Sequence, residues 1–178
     1  MKLLTWLFLT TGIFALVFAL YQIILRETPS RLAFNSYSYG KTIVHDGKEI
    51  PQGVSIPSLG IDVPVYPAQV TDNVWQTTES GASYLVSSPL PGESGNSVVY
   101  AHNWKSLFGN LTKARVGEYV IVRYPDGTKK TFVIAYTSVV KPDESTILAP
   151  SQDKRLTLYT CTGFLDRERF VAVAILKS

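Results

Sequence analysis

Apolar positions follow two different patterns along the chain. From Leu3 to Leu25 it reads LLTWLFLTTGIFALVFALYQIIL, with no charged residue. A helix crossing a bilayer core needs roughly 20 apolar residues, so this run predicts an N-terminal transmembrane helix. A cleaved signal would carry a shorter apolar stretch, about 7–15 residues, and then a small-x-small cleavage site. No good site precedes Arg26, so an uncleaved anchor over residues 1–27 is preferred to a cleaved signal or a buried soluble helix. The flanking charges do not fix orientation, because Lys2 and the amino terminus oppose Arg26 and Arg31.

Residues 28–52 read as a connector. Thr28-Pro29-Ser30 stops the helix, since proline removes a donor and disfavours helix before it. Asn35 to Gly40 is polar and aromatic without a period, and His45-Asp46-Gly47 reads as a turn.

From residue 53 to 178 the period shortens. Val54-Ser55-Ile56 and Ile61-Asp62-Val63 alternate around Pro57-Ser58-Leu59-Gly60. Strands are predicted at Ser97–Ala101, Tyr119–Arg123, Thr131–Tyr136, Leu156–Thr160 and Phe170–Leu176. Pro125-Asp126-Gly127 between two of them is a hairpin signal, because Asp-Gly accepts the positive φ of a tight turn. Short strands at this spacing argue for an all-β, closed or nearly closed barrel. Helix is scarce, with a turn or two expected over Trp104–Leu111.

Composition narrows the function. The single cysteine excludes an internal disulfide and any zinc site built from several thiolates. The net charge of +3, with no basic run interleaved with aromatics, argues against nucleic acid as a partner. Asp62, Asp72, Glu79 and Glu93 are scattered and match no calcium loop. No metal or cofactor is therefore expected, although calcium dependence stays open.

Three residue types remain for chemistry. A lone cysteine is usually a small buried hydrophobe. Cys161, however, ends the strand Leu156–Thr160 and precedes Thr162-Gly163, where a scaffold places reactive groups. A thiol outside the cytoplasm without a disulfide partner is also a liability that calls for a reason. Of the two histidines, His45 sits in the connector turn, whereas His102 ends the strand Val98–Ala101. His102 is either a satisfied half-buried imidazole or a proton carrier for the thiol. Asp166-Arg167-Glu168-Arg169 precedes the last strand. Loop charges normally serve solvation. In a hairpin, though, Arg169 lies opposite Cys161, where a guanidinium favours a thiolate and donates to an oxyanion.

These residues resemble a known family. TLYTC at 157–161 resembles the TLxTC signature of sortases, and RFVAV from Arg169 resembles the segment that follows it. SVVYAHN at 97–103 is similar to the strand leading to the sortase histidine, and VSIPSLGIDVPVY at 54–66 to the first strands. Ala101 departs from the glycine many sortases carry before the histidine, and the loop from Cys161 to Arg169 is short, so no subclass is assigned.

The resemblance implies a closed barrel of about eight strands with short helices. It implies a membrane-anchored cysteine transpeptidase acting on secreted proteins with a C-terminal LPxTG-like sorting signal. Cys161 attacks after the threonine, His102 protonates the leaving amine, and Arg169 steadies the oxyanion or the bound signal. Thr160 flanks the substrate groove. A peptidoglycan or pilin amine resolves the thioacyl enzyme. This function places the body, residues 53–178, outside the cell membrane on a single-pass anchor. The rivals are a thiol endopeptidase that mainly hydrolyses such signals and a non-catalytic barrel that binds cell-wall peptides.

Overall fold

The structure is a computed structural model and describes residues 2–26, 32–34, 50–71 and 74–177. The His45 turn, Asp72 and Arg31 lie outside the described residues. Helix α1 spans Lys2–Arg26. Its stretch Leu4–Ile24 has a mean hydropathy of 2.1 and buries none of its side chains. That is the length and composition of a membrane-crossing helix, which a signal sequence also has.

The body is a closed barrel of eight strands. In chain order, β1 is Gly53–Ile56 and β2 Ile61–Ala68. The short strands β3 (Val70–Thr71) and β4 (Val74–Trp75) form a separate two-stranded sheet. The series continues with β5 at Ala82–Leu85, β6 at Gly95–Tyr100 and β7 at Tyr119–Arg123. It ends with β8 at Lys129–Val140, β9 at Lys154–Thr162 and β10 at Glu168–Leu176. The order around the barrel is β1-β2-β5-β6-β9-β10-β8-β7, and β1 closes on β7 with Gly53 opposite Arg123.

Two turns show how sequence sets register. The β7–β8 hairpin closes through Tyr124 N to Thr128 O, with Gly127 at φ 84°, where a side chain is disfavoured. Asp126 Oδ1 accepts from the Thr128 amide at 2.8 Å and from its hydroxyl at 2.7 Å. Between β1 and β2, a 3₁₀ turn over Pro57–Leu59 ends at Gly60 in the left-handed region. Parallel pairing of β6 with β9 is the long-range step that brings two distant segments side by side, Tyr100 opposite Tyr159.

Alternation along the strands divides the core. Val54, Val63, Val122, Phe132, Leu158 and Ala172 belong to the cluster fed by all round the barrel, its interior. Tyr100, Tyr159, Cys161, Val171 and Val173 point to the other face of β6, β9 and β10. That face is covered by Trp75, Leu148, Leu32 and Phe34. Both faces of these central strands are thus buried, which accounts for the unbroken apolar run Phe170–Leu176 of β10, while β6 and β9 also bury the polar residues Asn96, Ser97, Thr157 and Thr160.

Several boundaries differ from the sequence reading. Strand β9 runs on through Thr162, so Cys161 lies inside the strand rather than beyond its end. Strand β10 begins at Glu168, which places Arg169 in the ladder too. The region Trp104–Leu111 holds turns and a 3₁₀ helix at Gly109–Lys113. Leu32 and Phe34, inside the segment read as connector, are buried at 0% and 4% exposure.

Candidate active site

Cys161 and Arg169 are direct partners across the antiparallel β9–β10 ladder. Both side chains are buried, at 3% and 2% exposure. Arg167, by contrast, is exposed and outside the strand. On the other side of β9, the parallel register pairs Tyr100 with Tyr159. His102 and Cys161 each lie two residues beyond that pair, so both sit at the same end of adjacent strands. The structure therefore brings Cys161, His102 and Arg169 to one end of β6, β9 and β10.

The residues between them hold this end together. The Thr160 hydroxyl donates to the Ala101 carbonyl at 2.8 Å, and the Ala101 amide donates to the Tyr159 carbonyl at 3.3 Å. Thr160 is fully buried, so its side chain is engaged with the backbone that leads into His102. His102 is buried, and its imidazole stacks on the Trp104 indole at 4.7 Å and 14°. Its carbonyl accepts from the Phe108 amide at 3.1 Å, which folds the following loop back on itself.

The guanidinium of Arg169 is fixed by backbone carbonyls. Nη1 donates to Asp166 O at 3.0 Å and Glu168 O at 2.9 Å, and Nη2 donates to Ala33 O at 3.0 Å. Nε is buried and has no hydrogen-bond partner among the described residues. The residue paired with the thiol therefore carries a buried guanidinium. A neighbouring cation favours thiolate over thiol. A thiol, an imidazole and a cationic donor together suffice for nucleophilic attack on a carbonyl with proton transfer.

The contribution of residues 32–34 was missing from the sequence reading. Tyr159 Oη donates to Leu32 O at 3.1 Å, and the Phe34 ring meets Tyr159 edge-on at 5.1 Å. Burying Leu32 and Phe34 contributes about 1.5–3 kcal/mol for each side chain. That is ample to hold a short segment against the barrel. Its signal in the sequence is three consecutive apolar residues, Leu32-Ala33-Phe34, too brief to separate from a loop. Among the described residues, no group of three or more His, Cys, Asp or Glu side chains is arranged to hold a metal ion.

A family model for the sortase domain matches residues 54–177. The chain belongs to the sortase family. It is similar to sortase A of Bacillus anthracis, 24% identical over 132 residues, which is 72% of this chain and 60% of that protein. Among solved structures it resembles sortase C-1 of Actinomyces oris, with a TM-score of 0.64 and 24% identity over 85% of this chain and 87% of that one. Listeria monocytogenes sortase A aligns with a TM-score of 0.58 and 22% identity, covering 73% of this chain and 88% of that one. At these identities the solved structures show the shared fold.

Proposed function

We propose that this protein is a membrane-anchored cysteine transpeptidase acting on a C-terminal, LPxTG-like sorting signal. The observation that carries the reading is the pairing of Cys161 with Arg169, with His102 at the same strand end. The thiolate of Cys161 adds to the carbonyl carbon of the bond after the threonine. Negative charge develops on the carbonyl oxygen, and Arg169 stabilises it or positions the signal. His102 donates its proton to the departing amine, the C–N bond breaks, and a thioacyl enzyme remains. An incoming amine, from a peptidoglycan cross-bridge or a pilin lysine, attacks that thioester. His102 takes the amine's proton as the new amide forms and the thiolate leaves. Thr160, which the family resemblance sets beside the substrate groove, contributes by fixing Ala101, the residue before His102.

Helix α1 anchors the enzyme in this reading. Its uncharged span of 21 residues from Leu4 to Ile24 rises about 30 Å at 1.5 Å per residue, the thickness of a bilayer core. The barrel then lies outside the membrane, where secreted substrates and wall amines are found. The full chain should fractionate with membranes, and protease added to wall-permeabilised cells should digest the body. Protection of the body would place it in the cytoplasm.

The deciding experiment incubates the full chain in detergent with LPxTG-variant peptides and several amines, reading products by mass. Ligated peptide with loss of the C-terminal fragment is expected. Cleavage without ligation under any amine would identify a thiol endopeptidase. No turnover of any peptide would count against the activity altogether.

A further inference from the structure

Between Cys161 and Arg169 the chain leaves β9, turns, and re-enters as β10. The turn is a 3₁₀ helix over Phe164–Asp166, with Leu165 at φ 56° and Asp166 at φ 58°. Aspartate tolerates the left-handed region, but a branched apolar residue there is an outlier held by its surroundings. Two contacts of Asp166 tie this turn to its surroundings. Its carbonyl accepts from Arg169 Nη1 at 3.0 Å. Its carboxylate Oδ1 accepts from the side-chain amide of Asn103 at 2.8 Å.

Asn103 is the neighbour of His102, and Trp104, which follows it, stacks on the His102 ring. The Asn103–Asp166 bond spans 63 residues of sequence. It joins the loop that carries the imidazole to the turn that separates the thiol from the guanidinium. The strand ladder fixes Cys161 against Arg169. His102 lies just beyond β6, so its depth relative to Cys161 depends on its loop.

We propose that Asp166 and Asn103 form a latch that positions His102 over Cys161, making both of them positioning residues for the reaction. The inference rests on the roles given above to Cys161, His102 and Arg169. A charged acceptor makes the stronger kind of hydrogen bond, and both side chains are half-buried, which limits competition from water. The latch touches no reacting atom. It acts through the imidazole, so its loss slows proton transfer while leaving peptide binding in place.

The test uses the full chain in detergent and the LPxTG-variant peptide that the parent turns over fastest, with triglycine as acceptor. Asp166→Gly removes the carboxylate but suits the left-handed backbone and keeps the carbonyl that Arg169 uses. It should lower kcat by about 10- to 10²-fold, the scale of a small misplacement of a catalytic group. KM should stay within about 2-fold and the unfolding temperature should not move. Asn103→Ala should give the same pattern, and the double variant should lose no more than either single one. Asp166→Asn retains an acceptor oxygen and should keep most activity. The latch is refuted by single variants with near-parental kcat, by losses that multiply in the double variant, or by Asp166→Asn as impaired as Asp166→Gly. Cys161→Ala run in parallel separates the two levels, since turnover in that variant overturns the nucleophile assignment rather than the latch.

Discussion

Arg169 faces Cys161 across the β9–β10 ladder, while Arg167, two positions earlier, is exposed outside it. Strand parity alone treats the two arginines alike. Entry into the ladder distinguishes them, because Glu168 opposite Thr162 is the first pair and Cys161–Arg169 the second.

Arg169→Ala should therefore lower kcat by about 10²- to 10³-fold, the effect of removing one oxyanion donor. Arg169→Lys should recover little, because an ammonium does not reproduce the three carbonyl contacts of the fork. Arg167→Ala should remain within a few-fold of the parent. A crippled Arg167→Ala variant would move the role out into the loop.

Cys161→Ala should abolish cleavage and ligation together. The side chain is small and sits in the outer cluster beside Val171, so the variant should stay folded. In the parent, a thioacyl adduct of the sorting peptide should be found on Cys161 by mass. Turnover above background in the alanine variant would show that another group attacks.

His102→Ala should lose most activity, and His45→Ala should lose little. If the working enzyme needs one of the Cys161–His102 pair protonated and the other not, kcat/KM should follow a bell in pH. Equal losses from the two histidine variants would point to a stability effect instead.

The fold and the three candidate groups were legible because each depends on local pattern. Alternation in Val54–Ile56, the Asp126-Gly127 turn and the run Leu156–Thr160 all declare strands within a few residues. The antiparallel order of consecutive strands by itself sets Arg169 near Cys161. What stayed hidden depends on distant partners. Asn103 looks like any loop asparagine until the chain returns at Asp166, and Phe34 looks solvated until Trp75 and Tyr159 are beside it. Strand β5, Ala82–Leu85, is another such case. Its parallel pairing to β2 comes from the barrel and not from a period of its own.

The buried segment gives a stability test. Phe34→Ala removes an aromatic ring held between Trp75 and Tyr159. A large-to-small change of this kind in a packed core costs about 3 kcal/mol. Urea unfolding of the parent and the variant should show a lower midpoint with an unchanged slope. An unchanged midpoint would mean that residues 32–34 lie on the barrel without contributing to its stability.

Alkaline pH should expose a second dependence. Tyr100 is fully buried in the outer cluster, and its hydroxyl donates to the Gln76 carbonyl. Burial pushes its phenol well above the usual 10.0, a rise that a hydrogen bond with Ser83 only partly offsets. Tyr84 and Tyr124 move in the same direction, also chiefly through burial. A raised pKa in the folded state means that the folded protein holds a proton the unfolded chain releases. The corresponding stability is fully present below about pH 10, the unfolded value, and falls as pH climbs toward the folded one. Each such group steepens the decline by at most about 1.4 kcal/mol per pH unit. Tyr100→Phe keeps the ring stacked on Tyr159, whose centroid lies 5.2 Å away, and deletes the titrating hydroxyl. Its stability at neutral pH should drop by about 1 kcal/mol for the lost hydrogen bond. Its slope between pH 10 and 11.5 should be shallower than the parent's by up to about one proton. Parallel slopes for parent and variant in urea titrations across that range would show that Tyr100 ionises as readily in the barrel as in the unfolded chain.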